Sequence, residues 1–187
     1  MRGNMTDSKL IQLYLSGDDT AFETLYQRYE RKLFSYIFRM LRNRDDAEEV
    51  FQKTWIKMIE KIGAYSEQGK FSSWLFNIAH NCTIDLIRKN KKINCNSSLD
   101  ELEYKLGDVN VNPETAVLIK EKKQRLAMAV QNLPDEQKEV VLMRIYGELA
   151  FKEIAEVLDT SVNTVLGRMH YAVKRIKKEF GGILNEV

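Results

Sequence analysis

Apolar residues recur every three or four positions along most of the chain, the period of helices that each bury one face. No stretch shows the apolar–polar alternation of a half-buried strand. The clearest case runs from Ala150 to Lys178. Ile154, Ala155 and Leu158 share a face of a short first segment, and Val165, Met169, Ala172 and Ile176 share a face of a longer second one. Between them lies the polar break Asp159-Thr160-Ser161, where the Ser161 hydroxyl can accept from a free first-turn amide. The pattern predicts helix, sharp turn, longer helix. Arg168, His170, Tyr171, Lys174, Arg175, Lys177 and Lys178 fall on the outer face of the second helix. That is the outline of a helix-turn-helix built to enter a DNA major groove. An ordinary helical hairpin with a solvated basic face has the same local pattern, so the rest of the chain decides.

Taken in order, the chain predicts a short helix over Thr6–Ser16, closed by Gly17. Asp18 or Asp19 caps a long second helix, with Phe22, Leu25, Tyr29, Leu33, Tyr36, Ile37 and Met40 at helical spacing up to about Arg42. Asn43-Arg44 breaks it. Asp45 followed by Glu48 gives a capping-box-like start to a third helix, which runs to about Ile62 with Ala47, Val50, Phe51, Thr54, Met58 and Ile62 inward. Gly63–Lys70 reads as a polar loop. A fourth helix follows over about Ser72–Lys89, with Leu75, Ile78, Ala79, Cys82 and Leu86 inward. Asn90–Asn112 is rich in Asn, Ser, Asp and Lys and lacks a sustained apolar stripe, as a linker does; a short turn is expected at Leu99–Leu106. Asn112-Pro113-Glu114 opens a helix to about Asn132, and Leu133-Pro134-Asp135 opens another that ends near Tyr146-Gly147. The expected fold is all-α: two small helical domains at 1–92 and 113–187, joined by a flexible linker at 93–112, the second ending in the helix-turn-helix.

Composition changes this picture little. Of the 187 residues 44% are hydrophobic and 30% charged, which supports a packed core and argues against global disorder. The net charge of +2 announces no partner, but its distribution does. Basic runs at Arg28–Arg44, at Arg88–Lys92 and along the last helix alternate with acidic runs at Asp45–Glu49, Asp100–Glu103 and Asp135–Glu139. Such patches suit a protein that meets both DNA and another protein. Cys82 and Cys95 form no CxxC pair, so neither a disulfide framework nor a structural zinc site is expected. No apolar run is long enough to span a membrane and Met1–Leu15 does not read as a signal peptide; the expected location is cytoplasmic, without membrane insertion.

Three ordered stretches are more specific than the helix-turn-helix alone. DDAEEVFQKTW from Asp45, FSSWLFNIAHNCTIDLIRKNKK from Phe71, and the stretch that starts LPDEQKEVVLMRIYGEL at Leu133 resemble the extracytoplasmic-function sigma factors of bacterial RNA polymerase. The resemblance covers roughly Ala21–Lys92 and Pro113–Lys178. It implies that the third helix docks on the clamp helices of the polymerase largest subunit, with Asp46, Glu49, Gln52 and Lys53 carrying polar contact. It implies that the Gly63–Lys70 loop and the fourth helix hold an opened −10 element, with Phe76, Asn77, His80, Asn81 and Arg88 as the outward set. Amides, aromatics and cations are what exposed base edges and stacking faces require. For the −35 element it implies base contacts at Leu166, Gly167, His170 and Tyr171, with Thr164 and Arg168 near phosphate; Lys174 and Lys178, further along the helix, suit phosphate as well. Leu166, Gly167 and Tyr171 depart from the basic, serine and arginine residues that many relatives carry, so the −35 preference is expected to differ. Trp74 and Asp85 read as structural. An anti-sigma protein is a further partner implied by the family.

Two rival readings fall short. Catalysis would need a constellation that is missing: His80 and Cys82 point to nearly opposite sides of one helix, His170 is remote, and no phosphate-cradling glycine loop or acid pair stands out. No catalytic residue, metal or cofactor is therefore expected. An activator or repressor with the same C-terminal module would need a sensing or dimerising first domain in place of the DDAEEVFQ and WLFNIAHN motifs.

Overall fold

The computed structural model describes residues 5–65, 70–93, 121 and 124–181. Among these every regular element is helical: α1 (Asp7–Leu15), α2 (Asp19–Leu41), α3 (Arg44–Lys61), a 3₁₀ turn (Ile62–Ala64), α4 (Phe71–Ile93), α5 (124–131), α6 (Asp135–Tyr146), α7 (Phe151–Val157) and α8 (Val162–Gly181). The expected linker beyond Ile93, its turn at Leu99–Leu106 and the helix start at Pro113 lie outside the described residues.

Local chemistry sets the helix ends. The Thr6 hydroxyl accepts from the Lys9 amide, and the Asp18 carboxylate from the Thr20 amide, which settles the choice between Asp18 and Asp19. The α3 start differs from the predicted one. Asn43, not Asp45, is the cap; its side-chain oxygen accepts from the Asp46 amide at 3.0 Å. Arg44 then lies inside the helix and pairs with Glu48, so the acid read as half of a capping box is an i,i+4 ion-pair partner. Pro134 occupies the cap position of α6, one residue earlier than a first helical turn would have it. The fourth helix continues four residues past Lys89.

The first domain packs α1 and α3 on α2, with α4 against both α2 and α3. Leu10, Leu25, Leu33, Tyr36, Ile37, Met58, Leu75 and Ala79 are fully buried there. Removing such side chains from water stabilises by about 1.5–3 kcal/mol for each large one. Trp55 is buried too. It joins Phe22, Tyr26 and Phe51 in an aromatic cluster between α2 and α3. In the second domain α6, α7 and α8 pack on one another around Val140, Met143, Leu149, Ile154, Val165 and Ala172.

The two halves do not stand apart. α6 lies on α2 and α7 on α4, and the buried apolar residues of both halves form one cluster. The contact has an apolar centre and a polar rim. Gly147 sits against Phe76 so closely that an added Cβ would lie 3.2 Å from the ring. At the rim, Lys32 pairs with Glu148 at 2.7 Å and Lys70 with Glu153 at 3.5 Å. The Gln131 amide donates to the Arg39 carbonyl at 3.3 Å, and the Arg39 guanidinium lies over the Tyr146 ring.

Candidate nucleic-acid interface

The helix-turn-helix forms as the apolar pattern requires. Val165 and Ala172 are fully buried and Met169 and Ile176 half-buried, so one side of α8 is held against α6 and α7. Asp159 turns the chain with a left-handed φ of 46°, a conformation Asp tolerates better than bulkier residues. The Ser161 hydroxyl then accepts from the Thr164 amide at 3.0 Å and caps α8. Thr164, Leu166, His170, Tyr171, Lys174 and Lys178 are exposed on the free side, and Gly167 is half-buried among them. The His170 ring packs edge-on to Tyr171. Arg168 differs: its guanidinium is held by Glu136 of α6 at 3.0 Å, so in the free chain it is engaged within the domain.

On α4, Asn77, Asn81 and Arg88 come together. Successive helical residues are separated by about 100°, which places positions 77, 81 and 88 within about 40° of one another. The Asn81 amide donates to the Asn77 side-chain oxygen at 2.6 Å, and Asn81 and Arg88 are exposed. Phe76 does not share this face. It lies about 100° away, is fully buried, and packs its ring 5.4 Å from Tyr36, so it is a core residue of the contact between the halves and not part of the outward set. His80 is half-buried between the two faces, with Nδ1 3.3 Å from the Tyr36 hydroxyl. Burial, with Arg88 nearby, lowers its pKa to about 4, so the ring is neutral at pH 7.

Sequence reading missed an aromatic cleft at the start of α4. Tyr65, just after the 3₁₀ turn, packs 4.9 Å from Trp74 and 5.9 Å from Phe71, and Tyr29 closes on Phe71 from α2. Tyr29, Tyr65 and Phe71, with Asp7, Ser8, Lys70 and Ser72, line an open cavity of about 310 Å³, and Trp74 packs on Tyr65 and Phe71 outside that lining. The signal is present in the sequence as Tyr65 and Phe71 flanking a glycine-containing loop, but nothing there brings Tyr29 to them.

On α3, Glu49, Gln52 and Lys53 are exposed along one stripe. Asp46 lies at its edge and is half-buried, its carboxylate accepting from the Asn90 amide at 3.1 Å. Ile56 and Ile59, 57% and 43% exposed, fall in the same stripe and were not singled out in the sequence. Two open isoleucines amid polar residues mark a surface suited to protein contact. Among the described residues no cluster of His, Cys, Asp and Glu could hold a metal ion, and no helix is long and apolar enough to cross a membrane.

Residues 25–93 match the family Sigma-70 region 2, and residues 123–176 match Sigma-70, region 4. The chain is 31% identical over 182 residues to the ECF RNA polymerase sigma factor SigW of Bacillus subtilis, covering 94% of this chain and 97% of that one. Two solved structures share the fold. CnrH, seen in complex with the cytosolic domain of CnrY, is 21% identical with a TM-score of 0.67, covering 94% of this chain and 97% of that one. The sigma factor RpoE of Bartonella quintana, seen with the anti-sigma factor NepR, is 17% identical with a TM-score of 0.68, covering 86% and 96%. With both regions matched in order, and a relative of this identity aligned over nearly the whole of both chains, the chain belongs to the extracytoplasmic-function sigma factors of RNA polymerase.

Proposed function

We propose that this sigma factor divides promoter recognition among the three outward faces just described. The α3 stripe of Glu49, Gln52, Lys53, Ile56 and Ile59, with Asp46 at its edge, docks on the clamp helices of the polymerase largest subunit. Asn77, Asn81 and Arg88 of α4, with His80 beside them and the Tyr65–Phe71 cleft at the start of the same helix, hold the separated strand of the −10 element. Amides supply base-edge hydrogen bonds, the aromatics supply stacking, and the cations meet phosphate. α8 reads the −35 element as duplex. Leu166 offers apolar contact only, for example to a thymine methyl, while His170 and Tyr171 can donate and accept toward base edges. Thr164, Lys174 and Lys178 contact phosphate, joined by Arg168 if Glu136 releases it.

The observation that carries this reading is α8 itself: a stripe buried at Val165 and Ala172 leaves His170 and Tyr171 exposed on the opposite side of the helix. The nucleotidyl-transfer chemistry belongs to the polymerase, and the chain works in the cytoplasm without a cofactor. An anti-sigma protein that covers one of these faces fits the family, and the NepR complex of the Bartonella relative supports it. The test is run-off transcription by core polymerase on a template carrying both elements. Addition of the chain should give a transcript that requires both; a transcript indifferent to the −35 sequence would remove α8 from the assignment.

A further inference from the structure

We propose that Arg168 is a positioning residue of the recognition helix. Held by Glu136, it fixes the rotation of α8 about its own axis, and so sets which base pairs His170 and Tyr171 meet. It keeps this partner when DNA is bound instead of passing to a phosphate. The inference rests on the −35 reading above, in which Arg168 met phosphate only on release by Glu136. The guanidinium lies 3.0 Å from the Glu136 carboxylate, with the Arg168 side chain 22% exposed and that of Glu136 73%.

Three features support the assignment. The first is direction. At about 100° per residue, Arg168 falls about 40° from Ala172 and about 60° from Val165, both fully buried, and about 160° from His170. It therefore points toward α6, on which α8 packs, and away from the groove. The second is charge. Glu139 lies three residues beyond Glu136, on the same side of α6, and the Arg168 charge favours its ionised carboxylate too. A guanidinium that left α6 would give up two acids for one phosphate. The third is need. The inward stripe of α8 is apolar: Val165 and Ala172, with half-buried Met169 and Ile176. Apolar contact is non-directional and holds the helix down without fixing its roll. A roll of about 10° moves an atom at the helix surface by about 1 Å. That is enough to spoil a base-edge hydrogen bond of about 2.9 Å. A planar guanidinium on a carboxylate is directional and supplies the missing constraint.

The test compares Arg168→Gln, Glu136→Gln and the exchange Glu136→Arg/Arg168→Glu in holoenzyme reconstituted with core polymerase, over a library randomised at the −35 element and across a salt series. Each single substitution should weaken binding of the motif that wild type selects by about two- to fivefold. Each should also relax the positions read by His170 and Tyr171 and leave the salt slope unchanged. The exchange should restore both affinity and motif. Thermal melting of the free chains reads the pair without DNA: the two substitutions should be coupled, and the melts show that each variant folds. A salt slope lowered by about one in Arg168→Gln, with all sequences weakened alike and Glu136→Gln binding at least as well as wild type, would put Arg168 on phosphate and overturn the proposal. So would an exchange no better than Arg168→Gln. Selection of no −35 motif by wild type would instead overturn the promoter reading, and the coupling in melting would still decide whether Glu136 holds Arg168.

Discussion

Gly167 and Glu139 show how single positions carry consequences that the sequence pattern hides. Gly167 lies among the exposed residues of α8, and the structure leaves open space around the position of a Cβ there. Gly167→Ala should therefore stabilise the fold by about 0.5–1 kcal/mol through helix propensity alone. If the backbone approaches the DNA at this point, the same variant should weaken −35 binding. Thermal melting and duplex binding of one preparation check both, and a variant less stable than wild type would show that the site is crowded. Glu139 of α6 faces Tyr36 of α2 and Arg168 of α8, with Asp135, Glu136 and Lys138 on its own helix. Burial raises its pKa from 4.5 to about 7, the neighbouring acids adding to the rise and Arg168 and Lys138 opposing it. Between those two values the folded chain binds more protons than the unfolded one, so this group lowers stability as pH rises through that window and holds the penalty above it. His80, lowered to about 4, acts in the opposite sense between 6.5 and 4 and cancels in a comparison at fixed pH. Glu139→Gln should then melt above wild type by a few degrees at pH 8 and by much less at pH 4.5. An equal difference at both pH values would contradict the assignment. A local pattern reports periodicity, so it marked Glu139 as a member of an acidic run and could not show its burial.

At the scale of single helices the sequence was most informative, and its errors have simple geometry. The inward stripes of α4 and α8 were legible because each is a regular 3.6-residue repeat along one side of its helix. The start of α3 was misplaced by two residues because Asn, Asp and Glu crowd together there and several could cap. Phe76 was grouped with Asn77 because both suit nucleic acid, although adjacent helical residues diverge by about 100°. The corrected face makes a sharper prediction. Asn77→Ala and Asn81→Ala should each slow open-complex formation while initial polymerase binding at the promoter stays intact, as read by permanganate footprinting beside a mobility shift. Loss confined to duplex binding would sink the strand-reading role. For α3, Glu49→Lys combined with Gln52→Ala should weaken association with core polymerase while circular dichroism stays unchanged, and Ile56→Asp should do the same through the apolar part of the stripe. Undiminished affinity in the folded variants would move the docking surface elsewhere.

At the scale of the whole molecule, the all-α class and the two regions were legible from three ordered motifs. The contact between the halves was not. It joins residues about a hundred positions apart, such as Lys32 with Glu148, and such pairings leave no period in the sequence. The aromatic cleft was legible only in part, as aromatics flanking a glycine-containing loop, because Tyr29 reaches Phe71 from α2, a separate segment. What the molecule must do as a unit is read two promoter elements at once. The most direct test is promoter selection by the reconstituted holoenzyme over a library randomised at both elements, at fixed salt. Wild type should select two separated blocks of sequence. Tyr171→Ala should relax one or two positions of the upstream block, each worth roughly 1–3 kcal/mol, and leave the downstream block intact. Lys174→Ala should preserve both blocks, weaken all sequences alike and lower the salt slope by about one. Selection of a single block by wild type, or an upstream motif unchanged by Tyr171→Ala and reshaped by Lys174→Ala, would contradict the division of labour between α4 and α8.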